Sequence, residues 1–182
     1  VTDTGKIYEF DTIDDQLNEQ DTSGDIEKPV AMTSFSTNIY TLDSTDGKVY
    51  KRLKTSGGYG KRTEYIKDGT TVTDSVGLAT DSSIYVLKNN GEIVKYLGGE
   101  KQNFSLTDLP FSITKPQSIF TSESLSNLYI VDGTGKRVIV FDNNGKFINQ
   151  QVSDKFTNLS GIFVTDKTGY VGADGKVYKI DL

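Results

Sequence analysis

A short strand–turn–strand pattern recurs along this chain at a nearly constant interval, and no other sequence feature constrains the fold as strongly. Each copy has a hydrophobic strand, a turn that contains glycine and a second strand that usually opens with lysine. The turn glycines are separated by 42, 44, 44 and 40 residues, and they are Gly5, Gly47, Gly91, Gly135 and Gly175. A period of about forty residues with several short strands in each repeat is typical of a β-propeller blade.

The apolar pattern within the repeats predicts strands that are covered on both faces. Residues 128–131 and 138–141 are apolar at every position rather than at alternate ones, which indicates strands packed between neighbouring sheets. Each complete repeat divides into four strands, and the most variable fourth strand is predicted at 63–67, 104–106 and 147–151. The polar segment 11–27 is predicted to be a loop. The sequence therefore predicts an all-β fold, a β-propeller of four-stranded antiparallel blades.

The repeats predict a single propeller domain over 1–182, or a fragment of one. Complete blades are predicted at 29–72, 73–115 and 116–157, flanked by partial blades at 1–28 and 158–182, so that four to five blades are visible. The chain either closes a ring by exchanging its N-terminal strand or is an open piece of a larger propeller of about six to eight blades. We favour the fragment, because GKIYEFD and GKVYKID, near the two ends, both match the third strand of a blade.

One repeat carries a recognisable motif over residues 128–147. An apolar strand ends in Val131-Asp132 and is followed by Arg137-Val138, Phe141 and Asp142-Asn143-Asn144-Gly145. This blade resembles an NHL repeat, whereas the other blades lack the arginine, so the chain resembles a degenerate, NHL-like bacterial propeller. The segments LSNLYIVD and KVYKIDL are similar to extracytoplasmic propellers of bacterial membrane-anchored proteins. The resemblance implies a location on the extracytoplasmic face of a bacterial membrane.

Composition excludes several classes of function. The chain has no Cys and no His, so thiolate chemistry and a Ser-His-Asp triad are excluded. With 20 basic and 25 acidic residues the net charge is −5, which opposes binding to nucleic acid or to an anionic membrane. No run of eighteen apolar residues is present, so no direct insertion into a membrane is expected from this chain.

Three residues are candidates for binding. Tyr59 lies in the glycine-rich segment 56–60, which we interpret as a flexible loop that could contact a partner. Asp81 and Asp166 are the only carboxylates among the residues expected to line the central channel at the starts of the innermost strands. The others carry mostly hydroxyl groups: Thr33, Ser34, Thr80, Thr121, Ser122 and Thr165. The acidic stretches 11–25 and 43–47 are interpreted as a solvated loop and a hairpin turn rather than as Ca²⁺ loops.

These observations predict a non-catalytic ligand- or protein-binding scaffold, the sensor or interaction part of a larger bacterial protein. The chain is expected not to be an enzyme and to need no cofactor or metal. Its partner would be a protein or a small molecule, and open blade edges could also lead to self-association. The alternative is a carboxylate- and Ca²⁺-dependent, lactonase-like hydrolase that uses Asp81 and Asp166 in the channel.

Overall fold

The computed structural model describes residues 1–2, 4–22, 28–43 and 45–182, and the described residues form β-strands, turns and irregular segments without any helix. This part of the chain therefore contains no helix long and apolar enough to cross a membrane. The chain divides into two compact units, Val1–Thr73 and Asp74–Leu182. Each unit is built of antiparallel sheets in which neighbouring strands follow one another in sequence, except that Lys48–Arg52 pairs with Thr63–Glu64 across a short hairpin.

The described residues of the first unit form two sheets and a small hairpin. Sheet 1 pairs β1 (Ile7–Asp11) with β2 (Gln16–Gln20). Sheet 2 has the order β3 (Pro29–Phe35), β4 (Asn38–Asp43), β5 (Lys48–Arg52) and β8 (Thr63–Glu64). Between β5 and β8, a short hairpin pairs β6 (Lys54–Thr55) with β7 (Gly58–Tyr59).

The second unit contains three sheets. Sheet 3 runs from β9 (Ser75–Thr80) through β10 (Ile84–Lys88) and β11 (Ile93–Leu97) to β12 (Glu100–Lys101). Sheet 4 runs from β13 (Pro116–Phe120) through β14 (Asn127–Asp132) and β15 (Arg137–Asp142) to β16 (Phe147–Val152). Sheet 5 has three strands, β17 (Leu159–Thr165), β18 (Thr168–Ala173) and β19 (Lys176–Asp181).

The core of the second unit lies between its sheets, because strands that are apolar at consecutive positions must be covered on both faces. One apolar cluster joins Tyr85 and Leu87 of sheet 3 to Ile130 and Phe141 of sheet 4. A second cluster joins the opposite face of sheet 4 to sheet 5 and includes Val140 and Val171. Because sheet 4 is covered on both faces, β14 and β15 are apolar at consecutive positions.

Four sheets share an irregularity in their first strand. In β3, β9, β13 and β17 the pairing with the next strand shifts around the second residue, which is the extra residue of a β-bulge. These bulged residues are Val30, Val76, Gln117 and Ser160. A bulge bends the strand and redirects a side chain. The same β-bulge therefore presents a different side chain near the start of each of these four strands.

Some of the predicted strands need correction. The predicted loop over 11–27 is wrong for Gln16–Gln20, which form β2 in full register with β1. A hydrogen-bonded strand with mostly exposed side chains needs no apolar pattern, which is why composition failed there. Part of this segment, residues 23–27, lies outside the described residues.

The fourth strands were predicted with mixed success. The one at 147–151 is confirmed as β16, and the one at 63–67 is reduced to β8. The strand predicted at 104–106 is wrong, because Gly98 and Gly99 both have positive φ, 59° and 85°, and turn the chain at once into β12. Consecutive glycines at positive φ are a hairpin signal. Phe104 instead packs edge-on against Tyr85, with ring centroids 5.7 Å apart.

Candidate functional site

Asp81 lies in the turn between β9 and β10, where its carboxylate stabilises the turn. One oxygen accepts a hydrogen bond from the backbone N–H of Ser83 at 2.9 Å, and the other accepts one from the Tyr85 hydroxyl at 3.0 Å. Burial, followed by the negative charge of Asp81 and its hydrogen bond, raises the pKa of Tyr85 well above its usual value. Both carboxylate oxygens are thus already engaged within the turn.

Asp166 occupies the corresponding turn of sheet 5, between β17 and β18. Its backbone has a φ of 49°, and its side chain is exposed. The prediction that Asp81 and Asp166 lie at the starts of the innermost strands is wrong, because both follow the last residue of their strand, Thr80 and Thr165. The sequence pattern marks the first strand of each repeat, but it does not show at which end of that strand the aspartate lies.

The described residues do not supply a carboxylate site for a metal ion. Across 1–2, 4–22, 28–43 and 45–182, no group of three or more Asp and Glu side chains is close enough to hold one. Ca²⁺ takes six to eight oxygen ligands, and a calcium site at Asp81 and Asp166, as in the alternative prediction, stays a prediction.

Tyr59 is not on a flexible, exposed loop. It belongs to β7, is half-buried and donates its backbone N–H to the carbonyl of Asp21 at 2.7 Å. The Lys54 ammonium lies 4.7 Å from the centre of its ring. Neighbouring Gly58 has a φ of 138°, and a Cβ there would lie 2.6 Å from the Asp21 carbonyl oxygen. This close backbone approach explains the glycine and holds Tyr59 in an ordered hairpin.

Aspartates of the two acidic stretches cap turns, although residues 16–20 of the first stretch form the strand β2. Asp11 accepts hydrogen bonds from the backbone N–H groups of Ile13 and Asp14, at 2.8 and 3.4 Å. Asp43 accepts one from Thr45 at 2.8 Å, and Asp46 accepts one from Lys48 at 3.0 Å. Such side-chain caps are typical of Asx turns. Ser44 and residues 23–27 lie outside the described residues.

The Asp132–Arg137 motif is a structural clamp. The Asp132 carboxylate is fully buried and accepts two hydrogen bonds from Arg137, at 3.0 and 2.8 Å, on one oxygen and one from the Lys115 N–H on the other. The guanidinium also donates to the Ser112 carbonyl at 2.8 Å and stacks on Phe111, 3.7 Å from the ring centre. The pair thereby fixes the chain that enters β13, and no oxygen of Asp132 is left for a ligand.

The starts of the first strands in the second unit carry polar residues that sequence reasoning missed. On β13, the side-chain oxygens of Gln117 and Ser118 are buried and have no hydrogen-bond partner among the described protein atoms. Ser160, at the equivalent bulge of β17, is exposed. β13 packs beside β17 within this unit. At the bulges of β13 and β17 the only sequence signal was a polar residue directly after the first position of the strand, and the bulge that gives it meaning is invisible in the sequence.

Comparison with solved structures shows the fold. The chain is similar to a virginiamycin B lyase from Staphylococcus aureus, with a TM-score of 0.66, 18% identity and coverage of 99% of this chain and 60% of the lyase. It is also similar to a gluconolactonase from Xanthomonas campestris, with a TM-score of 0.69, 16% identity and coverage of 98% and 65%. A computationally designed protein, Ika4, matches with a TM-score of 0.63 and 14% identity over 89% of this chain and 96% of that one. The predicted class is confirmed: the chain is a β-propeller protein with antiparallel blades.

The same comparisons leave the family of the repeats unconfirmed. No family model and no curated protein matches the chain, so the NHL-like character of its repeats is not confirmed. The chain spans 62% and 60% of the length of two of the lyases it matches.

The expectation that the chain is not an enzyme is contradicted, because two of these similar structures, the lyase and the gluconolactonase, are enzymes. The missing His and Cys residues exclude particular catalytic groups, but they do not exclude chemistry by hydroxyl, amide or carboxylate groups.

Proposed function

We propose that residues 74–182 bind a small hydroxyl-rich molecule at the starts of β13 and β17, through Gln117 and Ser160, and that this molecule is the substrate of a lactonase-like hydrolysis. The observation that carries the proposal is the pair of buried, unpartnered oxygens on Gln117 and Ser118. A buried acceptor without a donor costs about 1–3 kcal/mol. A hydroxyl-bearing ligand supplies donors, and the half-buried Gln117 can turn its amide towards such a ligand by a rotamer change.

The reaction class follows from the polar groups and from the similar enzymes. A sugar lactone carries both hydroxyl donors and carbonyl acceptors, which an amide and a hydroxyl group complement. The gluconolactonase is similar over nearly the whole of this chain and supports the choice of substrate class. Calcium is not part of the proposal, because among the described residues no group of three or more carboxylates is close enough to hold a metal ion.

The lyase offers a less suitable model for the chemistry. One of its solved structures is of a catalytically inactive variant in which a histidine is replaced by alanine. This chain has no histidine, so a lyase reaction that depends on that residue type is not proposed. The similarity to the lyase supports a polar ligand in general but not its reaction.

Two measurements test the proposal. Calorimetry measures the binding of gluconate, and acid release measures the hydrolysis of glucono-δ-lactone. Gln117→Leu and Ser160→Val are expected to weaken binding about fivefold each, because each removes one hydrogen bond worth about 1 kcal/mol. Gln151→Leu and Ser126→Val are the matched controls, since Gln151 is half-buried on the outer strand β16 and Ser126 is exposed in the turn between β13 and β14. They should bind as the wild type does.

Two results would overturn the proposal. The first is the absence of both binding and hydrolysis, or equal effects in the variants and their controls. The second is tight Ca²⁺ binding that Asp81→Asn abolishes, which would favour the calcium-dependent alternative at Asp81 and Asp166. Contact of a ligand with Tyr59, Asp81 or Asp166 stays a prediction until such variants are measured.

A further inference from the structure

We propose that the outer edge of β16 is a self-association surface, on which a second copy of this chain pairs its own β16 in antiparallel orientation. The two-fold axis of the pair lies at Gln150, so that Ile148 of each copy stands opposite Val152 of the other. Because both copies use the same edge, the assembly closes as a dimer. This edge is separate from the ligand site proposed at the starts of β13 and β17.

The outermost strand of sheet 4 differs from those of the other four-stranded sheets. β16 has six residues, Phe147–Val152, and none of them is charged, proline or glycine. The outermost strands of sheets 2 and 3, β8 and β12, have two residues each, and both contain charged side chains. Short strands and charged side chains are two ways in which proteins protect an exposed edge from other chains. β16 has neither form of protection.

The backbone of β16 presents hydrogen-bonding groups along its outer side. Among the described strands β16 pairs with β15 alone. The Ser153 N–H donates to the Lys136 carbonyl at 3.2 Å, and alternate residues of an antiparallel strand bond to the same neighbour. Gln151 therefore bonds towards β15, whereas the backbone groups of Gln150 and Val152 point to the outer edge. They are available to an incoming strand.

The available part of this edge is short. Thr107 accepts a hydrogen bond from the Phe147 N–H at 3.0 Å, so the edge is already occupied before Ile148. The bulge at Ile148 interrupts the register with β15, but the pairing from Asn149 to Val152 is regular. Beyond β16 the chain soon enters a turn, so a partner strand ends there as well. A contact of this size is weak and transient, and the association is therefore a dimer that forms at high protein concentration.

The side chains of β16 complement themselves in this register. Ile148, Gln150 and Val152 are alternate residues of one strand and share one face of the sheet. Ile148 and Val152 are 47% and 61% exposed. A two-fold axis at Gln150 places each of these two apolar side chains opposite the other, in the cross-strand positions that stabilise antiparallel sheets. Dimerisation thus removes from water apolar area that the single chain leaves exposed.

Charges of opposite sign flank the paired segment. Lys146 precedes it and Asp154 follows it, each four positions from Gln150, so antiparallel pairing brings Lys146 of each copy towards Asp154 of the other. Lys146 makes a contact of 3.9 Å with Asp108, and these two side chains are 64% and 65% exposed. Because such an exposed pair is weak, Lys146 can bind the exposed Asp154 of a second copy. Parallel pairing would bring like charges together, so the charges select the antiparallel orientation.

Sedimentation velocity and amide hydrogen exchange on the full chain test the proposal. We expect a monomer–dimer equilibrium up to about 1 mM protein, with slower exchange of the Gln150 and Val152 amides at the higher concentrations. Gln150→Pro removes an N–H that sheet 4 does not use and should weaken dimerisation at least about tenfold. Val152→Lys should weaken it as well, because a charge protects an edge. Val177→Lys, at an exposed apolar position of β19, is the matched control and should leave dimerisation unchanged. Circular dichroism verifies that each variant is folded.

A charge exchange tests the register of the two copies. Lys146→Glu and Asp154→Lys, each alone, place like charges at both ends of the pair and should weaken dimerisation about tenfold. In a mixture of the two variants, the new glutamate meets the new lysine at one end and the native pair remains at the other. The mixture should therefore dimerise about as strongly as the wild type does.

Several results would overturn the proposal. The first is a chain that stays monomeric at every concentration, and the second is a dimer that Gln150→Pro and Val152→Lys leave intact. A mixture of the two charge variants that stays monomeric would exclude the register. A dimer lost in Val177→Lys would place the contact on sheet 5. Growth beyond dimers would also contradict the proposal, because a two-fold contact of this kind is closed.

Discussion

Sheets 2 and 4 hold a buried aspartate at the same place, the end of their second strand, but they recruit its arginine from different positions. In sheet 4, Asp132 pairs in register with Arg137, the first residue of the next strand. In sheet 2, the residue opposite Asp43 is Lys48, and the arginine that binds Asp43 is Arg62, at 3.1 Å, from the segment before β8. The aspartate side chains are 0% and 3% exposed, and the arginines 12% and 19%.

The two sites agree in their chemistry. In each, one carboxylate oxygen accepts a backbone N–H, from Lys115 or from Thr45, and the other accepts the guanidinium. Each arginine also stacks on an aromatic ring, Arg137 on Phe111 at 3.7 Å and Arg62 on Tyr50 at 4.1 Å. A buried carboxylate requires a paired, hydrogen-bonded cation, and the fold meets that requirement without a fixed sequence spacing.

Sheet 3 shows what happens when the aspartate is absent. Lys88 stands at its position and pairs with Glu92 at 3.5 Å, so that the order of the charges is reversed. Because these two side chains are 30% and 51% exposed, they form a surface pair rather than a clamp. The comparison therefore predicts that breaking these pairs lowers the free energy of unfolding by amounts that decrease from sheet 4 to sheet 2 to sheet 3.

The largest effect is expected for Arg137→Met. It leaves the fully buried carboxylate of Asp132 without its cation, and breaking a buried pair in this way costs about 3–5 kcal/mol. Urea denaturation followed by tyrosine fluorescence measures the loss. A loss below about 1 kcal/mol, as for an exposed pair, would show that the clamp does not stabilise sheet 4.

A smaller loss, about 1–3 kcal/mol as for a buried group that loses one hydrogen-bond partner, is expected for Arg62→Met. Asp43 keeps its hydrogen bond from Thr45, and the arginine that is removed is more exposed than Arg137. The same denaturation experiment compares both variants, with Arg62→Lys as the control that retains the charge. If Arg62→Met were the more damaging change, the exposure-based ranking of the two clamps would be wrong.

The Asp43 clamp should also make stability depend on pH. Burial by itself raises the pKa of Asp43, but the hydrogen bonds from Thr45 and the bond and charge of Arg62 outweigh it and hold the pKa below 3.8. A lowered pKa contributes stability above the unfolded-state value, and this contribution is lost as the pH falls through the folded-state value. Denaturation at pH 7, 4 and 3 should therefore show a smaller decrease for Asp43→Asn than for the wild type. Equal decreases would contradict this assignment.

The smallest effect is expected for Lys88→Ala, since the Lys88–Glu92 pair is exposed. Exposed pairs typically contribute about 0–1 kcal/mol, so the midpoint of thermal unfolding should shift by no more than a few degrees. A double-mutant cycle with Glu92→Ala isolates the coupling between the two side chains. Coupling above about 1.5 kcal/mol would place this pair with the buried clamps.

Much of the fold could be predicted from the sequence because its signals are local. The glycine spacing and the consecutively apolar strands indicated the repeat and the all-β class. The polar strand β2 and the early turn at Gly98-Gly99 escaped prediction, since pairing along an exposed edge leaves no periodic pattern. The candidate site was predicted less well. Asp81 and Asp166 lie in the turns that follow the first strands of sheets 3 and 5. Residue types alone did not show that these aspartates follow the strands instead of beginning them.

By itself, the sequence determined the repeat length and the strand-rich class, because propensity and hydrophobic pattern act over a few neighbouring residues. Only the tertiary structure decided which distant groups meet. The chain between Asp43 and Arg62 runs through β5 and the hairpin of β6 and β7, and it had to return to sheet 2 before the two residues could pair. The bulges that shape the starts of β13 and β17 appear only when strands pair. These contacts depend on close packing between segments separated in sequence, and the residue order alone does not reveal them.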